Sequence, residues 1–460
     1  MELDPVFLSR VQFAFVVSFH IIFPSFTIGL AAWLATIEGI RLATGKPIYR
    51  RVFDFWLKVF ALSFALGVVT GIVMAFQFGT NWSVLSERTG SIQGPLLGYE
   101  AFTAFMLEAT FFGVMLLGRD RAPPWFYFLS CCMVCFGTMF SSFWILCNNS
   151  WMQVPLGHVV IDGRILPDNW WAITTGPIVR VRWPHMLLAA FLTSGMSIAA
   201  TGAWHLLRGR HLPEARVMLR WGLGLVAAMI PVQMFFGHLT GLYVHEHQPA
   251  KFAAIEARWK TQQPASEVLI AIPDPWAERN LLALEIPKLG SFIASGTWDS
   301  REVGLDTFPP EDRPPVIIPF FTFRIMVGMG LIMLAVSWLG VLLHWRGRLE
   351  STRWFLWAAF LSFPSGFIAV LAGWFTAEVG RQPWVVYGLL RTKDAITPSL
   401  TTRDVLLSLT AYVAVYAVIY AFGLRYIYRL LRDGPADAVT PASAATRPMG
   451  AAMLTGEAGK

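Results

Sequence analysis

The sequence is poor in charged residues. They make up only 14% of its 460 residues, whereas about a quarter of a soluble domain is charged. The deficit extends along the whole chain and hydrophobic residues reach 55%, so a soluble protein is excluded and a membrane protein is indicated. The net charge of +7 comes from short segments between apolar runs, and no basic stripe indicates a nucleic-acid partner.

Cysteine is scarce as well. The four cysteines lie in one apolar segment, at Cys131, Cys132, Cys135 and Cys147, so a disulfide framework is excluded. Two of them form a C-x-x-C pattern, which can be redox-active or bind a metal, but small buried residues of a membrane helix explain it better. The first apolar run follows no basic segment and precedes no small-residue cleavage site. It is therefore predicted to be a membrane span rather than a signal peptide.

Nine apolar segments are long enough to cross a bilayer, which takes about 20 residues. The predicted fold class is therefore an all-α polytopic membrane protein with nine transmembrane helices. The predicted spans are residues 11–37, 55–78, 96–117, 125–147, 184–207, 217–241, 318–343, 354–379 and 406–428.

The basic residues between the spans predict the orientation. Lys and Arg are concentrated after spans one, five, seven and nine, which all lie on one side of a nine-span protein. That side is cytoplasmic by the positive-inside rule, so the N-terminus is predicted to be periplasmic and the C-terminus cytoplasmic.

The chain is divided into a transmembrane domain, residues 1–432, and a disordered cytoplasmic tail, residues 433–460, which is rich in Ala, Thr, Gly and Pro. Two long loops are predicted on the periplasmic side, at about residues 148–183 and 242–318. Residues 250–260 of the second loop, with Lys251 and Glu256, resemble an amphipathic helix with no evident role in the core.

Few ionisable side chains lie in or beside the predicted spans. Each one requires a partner or a function, because a charge at mid-membrane costs about 2.5–3.5 kcal/mol. The predicted topology places them at the outer face, with Glu100 near the outer end of span three and Glu108 about 12 Å deeper. These residues are His20, Glu100, Glu108, His185, Arg324, Glu378 and Arg381.

Several of these residues could bind haem. Histidine is the usual axial ligand of haem iron, and methionine paired with histidine raises its potential. His20, His185, Met326 and Glu378 could therefore hold several haems along one face. Either histidine taken alone is more simply explained as a hydrogen-bonded core residue.

A second pattern surrounds Glu378. Trp374, Glu378, Arg381 and Gln382 follow spacings of three and four residues and would share one stripe of a helix. Arg381 could pair with Glu378 or neutralise a haem propionate, which adds Arg381 and Trp374 to the candidate site. An interfacial salt bridge that ends the helix is the alternative.

Glu100 and Glu108 are eight residues apart and share one side of a helix, which indicates either a proton relay or two carboxyls bonded to neighbouring helices. His238, His245 and His247, with Glu246, weakly resemble a metal cluster. No His-His dipeptide occurs, which argues against a haem–copper oxidase.

Five segments carry a resemblance to a known family. Residues 76–82 (FQFGTNW), the helix with Glu100 and Glu108, residues 251–259 (KFAAIEARW), 323–328 (FRIMVG) and 373–384 (GWFTAEVGRQPW) closely resemble subunit I of the cytochrome bd ubiquinol oxidases. The similarity extends from the N-terminus to about residue 432.

The resemblance implies a set of haem ligands. His185 and Met326 correspond to the axial pair of a low-spin haem b. His20 and Glu378 correspond to the single axial ligands of two high-spin haems, one of b type and one usually of d type, without indicating which residue holds which haem.

The resemblance also implies sites for quinol and protons. Lys251 and Glu256 match the quinol-binding loop, and Arg324 matches a position beside the low-spin haem. Glu100 and Glu108 match acids linked to proton delivery.

The implied partners are a haem-free membrane subunit II, often with a small single-span subunit, together with ubiquinol or menaquinol and oxygen, in a bacterial inner membrane. One feature departs from the family pattern, because the loop after Glu256 reaches span seven quickly. The chain therefore resembles the short-loop branch, which includes cyanide-insensitive oxidases. The third haem is expected to be haem d or a further haem b.

The expected function is a terminal oxidase subunit. It would oxidise quinol at the periplasmic face and reduce oxygen with cytoplasmic protons, so that a proton-motive force arises without a pump. One alternative is a b-type cytochrome that relays electrons from quinol to a partner without reducing oxygen. Another is a haem-free transporter with inverted repeats, although neither half of the sequence visibly repeats the other.

Overall fold

The computed structural model describes residues 4–435. Within that range, nine helices are long and apolar enough to cross a membrane, so the predicted fold class is confirmed. The helices are α1 Pro5–Thr44, α2 Pro47–Thr80, α3 Ser83–Tyr99, α4 Met106–Leu117, α5 Pro124–Gln153, α6 Trp170–Thr175, α7 Pro177–Arg208, α8 Leu212–His247, α9 Pro249–Ile255, α10 Leu289–Ser295, α11 Ile317–Trp345, α12 Arg353–Leu361, α13 Ser365–Val379 and α14 Thr402–Asp433. Most of the predicted tail, residues 436–460, lies outside the described residues.

Three of the nine spans are interrupted. The third combines α3 and α4 through a π-helical turn, Glu100–Phe105. The fifth combines α6 with α7, and the eighth combines α12 with α13.

The spans are longer than predicted, and the third differs most. Its helix begins at Ser83 rather than at residue 96, because polar residues such as Glu87 and Arg88 lie on its first turns and lower the local hydropathy. Glu100 therefore lies 17 residues along the span. The expectation that Glu100 sits near the outer end of this span is wrong.

The alternation of nine spans gives the bundle two different faces. The N-terminal face holds the start of α1, the hairpin β1 His158–Ile161 with β2 Arg164–Pro167, the long loop 248–316 and the connection 380–401. The C-terminal face holds short connections, such as the two residues between α1 and α2, where Gly45 adopts a left-handed conformation. Which face is periplasmic stays a prediction.

Helix α7 belongs to the most buried of the nine spans and packs closely against α8. At Gly202 an added Cβ atom would lie 2.6 Å from the backbone nitrogen of Leu219 and 2.7 Å from the carbonyl oxygen of Ala215. Small residues let neighbouring helix backbones approach in this way. The close contact therefore fixes α7 and α8 relative to each other within the bundle.

The long loop is ordered rather than structureless. It contains α9, α10 and the antiparallel hairpin β3 Glu267–Asp274 with β4 Arg279–Ile286, while β5 Trp384–Val386 and β6 Leu390–Arg391 form a small hairpin in the 380–401 connection. The amphipathic helix predicted for residues 250–260 is too long. Helix α9 ends at Ile255, because Ala257 adopts a positive φ of 48° that no helix continues.

A buried ion cluster near the C-terminal face was not predicted. The Glu38 side chain is fully buried, and its two carboxylate oxygens accept bonds of 2.8–3.0 Å from the guanidinium groups of Arg41 and Arg119. The Arg119 guanidinium lies 4.4 Å from the ring centroid of Phe53 and 4.2 Å from that of Tyr127. This cluster joins α1 to the segments around α2, α4 and α5.

Candidate functional site

Glu378 is the centre of the polar site at the N-terminal face. Its Oε1 atom accepts hydrogen bonds from Asn149 Nδ2 at 3.0 Å and Gln153 Nε2 at 3.1 Å. Its Oε2 atom accepts a bond of 2.5 Å from Arg381 Nη2. The last turn of α5 and the end of α13 thus hold the carboxylate from two sides.

The pairing of Arg381 with Glu378 is present, but the single helical stripe is not. Helix α13 ends at Val379, so Arg381 and Gln382 lie beyond it. Gln382 instead accepts a hydrogen bond of 2.8 Å from Thr392 Oγ1. The helical spacing of three and four residues does not hold beyond the end of α13. The pair of Arg381 and Glu378 forms because the chain turns back beside Glu378.

Lys251 extends this polar site from the long loop. Its Nζ atom donates to Gln153 Oε1 at 3.0 Å and to Gln248 Oε1 at 3.2 Å. Only 4% of Lys251 is exposed, so the expectation that this segment has no core role is wrong. Burial, and secondly the charge of Arg182, lowers the pKa of the Lys251 amine well below its ordinary value.

Several buried polar atoms of this site have no hydrogen-bond partner among residues 4–435. They are Nε and Nη1 of Arg381, Oδ1 of Asn149 and Nε1 of Trp374. Buried polar groups are almost always paired, so each of these needs an explanation. Buried donors of Arg381 and Trp374 beside the half-buried Glu378 carboxylate fit a haem, whose carboxylates such donors could bind.

His20 packs against α2. Its Nδ1 atom lies 3.0 Å from Thr70 Oγ1. An added Cβ atom at Gly71 would lie 3.0 Å from His20 Cε1, so the glycine leaves room for the ring.

His185 and Met326 each face a glycine on a neighbouring helix. An added Cβ atom would lie 3.3 Å from His185 Cε1 at Gly237, and 2.8 Å from the Met326 sulfur at Gly373. His185 Nδ1 is buried and unpartnered in the described range, while Nε2 lies 3.4 Å from Gln233 Nε2. A histidine ring with a free nitrogen fits an axial ligand.

The three candidate ligands lie at similar depths. Gly71, Gly237 and Gly373 are 9, 10 and 6 residues from the N-terminal-face ends of α2, α8 and α13. At 1.5 Å per residue these depths are about 14, 15 and 9 Å. Together with Glu378, which is one residue from the end of α13, the candidates occupy the half of the bundle nearest the N-terminal face, as the sequence predicted.

Glu100 and Glu108 both face α5. Glu100 begins the π-helical turn and accepts a bond of 2.7 Å from Ser141 Oγ. An added Cβ atom at Gly137 would lie 2.5 Å from Glu108 Cγ. Glu108 is 5% exposed, and its Oε1 atom has no partner among the residues described. The prediction that the two acids share one side is confirmed.

Arg324 holds the long loop onto α11. Its Nη1 donates to the Ile255 carbonyl at 2.8 Å, its Nη2 to Glu256 Oε2 at 3.2 Å and its Nε to the Val268 carbonyl at 3.1 Å. Glu256 is 6% exposed, so it is not the peripheral loop residue that the sequence predicted. Like Lys251, Glu256 is buried because the long loop folds back onto the helices.

Sequence reasoning missed four polar residues of the region: Asn149, Gln153, Arg182 and Glu267. The first two lie four residues apart at the end of an apolar helix, where uncharged polar residues could have been searched for. Their partners are more than 200 positions away in sequence at Glu378, so no local pattern pairs them.

The histidines after residue 237 are not gathered into a metal cluster: in the described range no group of three or more His, Cys, Asp or Glu side chains is placed to hold an ion. His245 Nε2 lies 2.7 Å from Glu302 Oε2, and His247 Nδ1 lies 3.2 Å from the Tyr243 carbonyl. The four cysteines are unbridged and buried or half-buried, as the structural interpretation predicts.

Comparison with known proteins matches residues 8–435 to the family described as cytochrome bd terminal oxidase subunit I. The chain is 34% identical over 441 residues to the cytochrome bd ubiquinol oxidase subunit 1 of Bacillus subtilis, with 93% of each chain covered. It is 34% identical over an alignment of 503 residues to the cytochrome bd-II ubiquinol oxidase subunit 1 of Escherichia coli, with 94% of this chain and 97% of the relative covered.

A solved structure gives the same result. The bd oxidase from Geobacillus thermodenitrificans contains a chain that superposes with a TM-score of 0.86 at 27% identity, covering 94% of this chain and 99% of that chain. The bundle and its long loop are therefore shared with a known oxidase over nearly their full length.

Proposed function

Because this chain belongs to the family of cytochrome bd terminal oxidase subunits I, we propose that it oxidises quinol and reduces oxygen to water in a bacterial inner membrane. The observation that carries the proposal is the Glu378 site, where a half-buried carboxylate lies beside buried donors that nothing in the described chain uses. A haem-free subunit II completes the enzyme, in some members with a small single-span subunit.

His185 and Met326 would hold the low-spin haem b, while His20 and Glu378 would each hold one of two high-spin haems. One of these haems is of b type and the other of d or b type, with neither type assigned to either residue. Bound haems supply electron transfer from quinol and, where one axial position is free, the site of oxygen reduction. Arg381 and Trp374, whose buried N–H groups have no acceptor among residues 4–435, would donate to the carboxylates of a haem held beside Glu378. Gly71, Gly237 and Gly373 leave the three other ligands the room they need.

The long loop binds quinol. Glu256 accepts a proton and is fixed by Arg324. Lys251 bonds through Gln153 to the Glu378 site, so the loop and the haem site are joined by a continuous set of hydrogen bonds.

Glu108 and Glu100 carry protons along α5. Glu108 lies deeper from the N-terminal face, and Glu100 lies between it and the candidate ligands. With the N-terminal face periplasmic, quinol releases protons outside while oxygen reduction takes protons from the cytoplasm through these acids. Charge separation then follows from the position of the sites, without a pump.

A reduced-minus-oxidised spectrum of the purified complex, with pyridine haemochrome analysis, tests the proposal. We expect haem b in every case, with haem d or more haem b, and oxygen uptake driven by quinol. Haem that quinol reduces without oxygen uptake would indicate the electron-relay alternative. A complex without haem bands would indicate a transporter.

A further inference from the structure

Arg258, in the long loop just after α9, is a buried arginine whose terminal guanidinium nitrogens have no hydrogen-bond partner among residues 4–435. The residue is 4% exposed. Its Nη1 and Nη2 atoms are buried and donate to no atom in the described part of the chain, although the guanidinium lies 5.6 Å from the Phe252 ring centroid. Leaving charged donors unpaired in a buried position is costly, so the Arg258 guanidinium requires an acceptor that the loop itself does not supply.

The backbone fixes where this guanidinium sits. Arg258 N donates to the Ala253 carbonyl at 2.8 Å, and the Arg258 carbonyl accepts from Leu305 N at 2.9 Å. The preceding residue, Ala257, is buried with a φ of 48°, a conformation that a non-glycine residue rarely adopts. Such conformations persist where the surroundings impose them, and they are concentrated at binding sites.

Two carboxyls lie beside Arg258. Glu267, at the start of β3, hydrogen-bonds to Glu256, and the charges of Arg324 and Arg258 act on the pair. Burial, and secondly the charge of Glu256, raises the pKa of Glu267, because two carboxylates in contact cannot both ionise easily. The raised pKa favours a protonated Glu267, which can donate a hydrogen bond to Glu256.

The two arginines of the cluster differ. Arg324 has its guanidinium nitrogens bonded to Glu256 and to backbone carbonyls of the loop, including those of Ile255 and Val268. Arg258 has both terminal nitrogens unused. Arg324 therefore stabilises the fold of the loop, whereas the Arg258 guanidinium remains available to a ligand.

We propose that Arg258 and Glu267 complete the quinol headgroup site, with Arg258 donating to a ring oxygen of the quinol and the Glu256–Glu267 pair taking the proton from that hydroxyl. This inference rests on the proposed function and assigns two residues that it leaves out. The O–H bond of the quinol breaks, an O–H bond forms on the carboxyl pair, and Arg258 stabilises the negative oxygen left behind. Oxidation to the quinone also releases the second hydroxyl proton to water and two electrons, which a haem held by His185 and Met326 would accept one at a time and pass on.

Arg258→Met and Arg258→Lys test the cation, with Arg301→Gln, an exposed arginine of the same loop, as the matched control. Steady-state oxygen uptake with ubiquinol-1 gives KM and kcat. Tetramethyl-p-phenylenediamine with ascorbate, which donates electrons without the quinol site, gives the remaining activity. We expect Arg258→Met to raise KM at least tenfold with the bypass activity retained, Arg258→Lys to recover part of the loss, and Arg301→Gln to match wild type.

Two outcomes would overturn the role of Arg258. One is a KM within twofold of wild type in Arg258→Met. The other is an equal loss of quinol and bypass activity in both Arg258 variants, together with a lower melting temperature, which a purely structural residue would give. If wild-type enzyme itself shows no haem reduction by quinol, the proposed function fails, and that result is distinct from either outcome.

Glu267→Gln tests the carboxyl pair, with Glu285→Gln on the exposed face of β4 as its control. We expect kcat with ubiquinol-1 to fall severalfold in Glu267→Gln and its pH profile between pH 6 and 9 to change shape, while KM changes little. The charges that face this group are Glu256, Arg324 and Arg258, and none of them is altered by the substitution. A pH profile identical to wild type would remove Glu267 from the proposal.

Discussion

Two carboxylates, the fully buried Glu38 near the C-terminal face and the half-buried Glu378 near the N-terminal face, are both held by arginines but in different ways. Glu38, near the C-terminal face, receives Arg41 and Arg119 at its two oxygens, and no buried side-chain atom of these three residues lacks a partner among those described. Glu378, near the N-terminal face, receives Arg381 and two amides. There, Arg381 keeps two buried nitrogens unused within residues 4–435.

The difference separates a structural network from one that binds a ligand. A buried network that uses all of its donors and acceptors stabilises one arrangement of the chain. Donors left over in a buried network are destabilising unless another group arrives to accept them. The Glu38 cluster therefore belongs to the fold, and the Glu378 cluster belongs to the site.

The sharpest test of this comparison substitutes each acid in turn. Glu378→Ala removes a proposed haem ligand, so we expect loss of one high-spin haem and quinol-driven oxygen uptake at background. Glu38→Ala removes the shared acceptor of two half-buried arginines, of which Arg119 keeps Asp54 at 3.4 Å. We expect this to cost about 1–3 kcal/mol of stability, while the haem spectrum of the folded protein stays unchanged. Absorption spectra and thermal melts of both variants measure these effects. Loss of haem from Glu38→Ala would contradict the distinction between the Glu38 and Glu378 clusters.

Met326→Leu extends the comparison to a ligand that has no charge. The substitution keeps the volume but removes the thioether, so we expect the low-spin haem signal to disappear or its potential to fall, with quinol oxidation lost. His185→Ala should give the same spectral loss. Redox titration of the haem bands checks both variants, and an unchanged low-spin spectrum in Met326→Leu would exclude the ligand role.

Glu108 resembles the Glu378 site in having a buried oxygen without a partner in the described range. Gln fills the same space but cannot pass a proton, so Glu108→Gln should slow oxygen reduction by about a hundredfold, the lower end of what proton-transfer groups contribute. Haem reduction by quinol should persist. Oxygen uptake and membrane voltage in proteoliposomes measure the effect, with exposed Glu87→Gln on the same span as control. Normal turnover would make Glu108 structural.

The smallest effect concerns pH. The pKa of Glu267 is raised in the folded loop by burial and by Glu256, so the folded loop holds this proton more tightly than the unfolded chain does. Its contribution to stability is present below the ordinary carboxyl pKa and is lost as the pH rises through the raised value. Limited proteolysis of the loop should therefore be faster at pH 9 than at pH 5, and Glu267→Gln should reduce that difference. Equal pH dependence in both proteins would contradict the assignment.

Hydropathy was sufficient for the nine spans, because crossing a bilayer imposes a length and composition that few other structures share. Hydropathy was not sufficient to predict the residues at which the spans begin and end. Polar residues such as Glu87 lie on the same helix as the apolar run, so hydropathy placed the start of the third span 13 residues late and misjudged the depth of Glu100.

Much of the site could be predicted because ionisable residues are rare in membrane spans. His20, His185 and Glu378 were found in that way, and Met326 was added because methionine can pair with histidine on haem iron. The surroundings could not be predicted, because Asn149 and Gln153 reach Glu378 only through tertiary packing. The turn at Ala257, which positions Arg258, is a conformation that alanine does not favour by itself.

Each of three candidate ligands meets its helical neighbour within one pair of consecutive spans joined at the C-terminal face. His20 on α1 meets α2, His185 on α7 meets α8, and Met326 on α11 meets α13. During synthesis the two spans of such a pair enter the membrane one directly after the other. Each candidate ligand can therefore meet its neighbouring helix before the later helices leave the ribosome. Cofactor insertion then requires three preformed hairpins to converge, rather than distant segments to find one another.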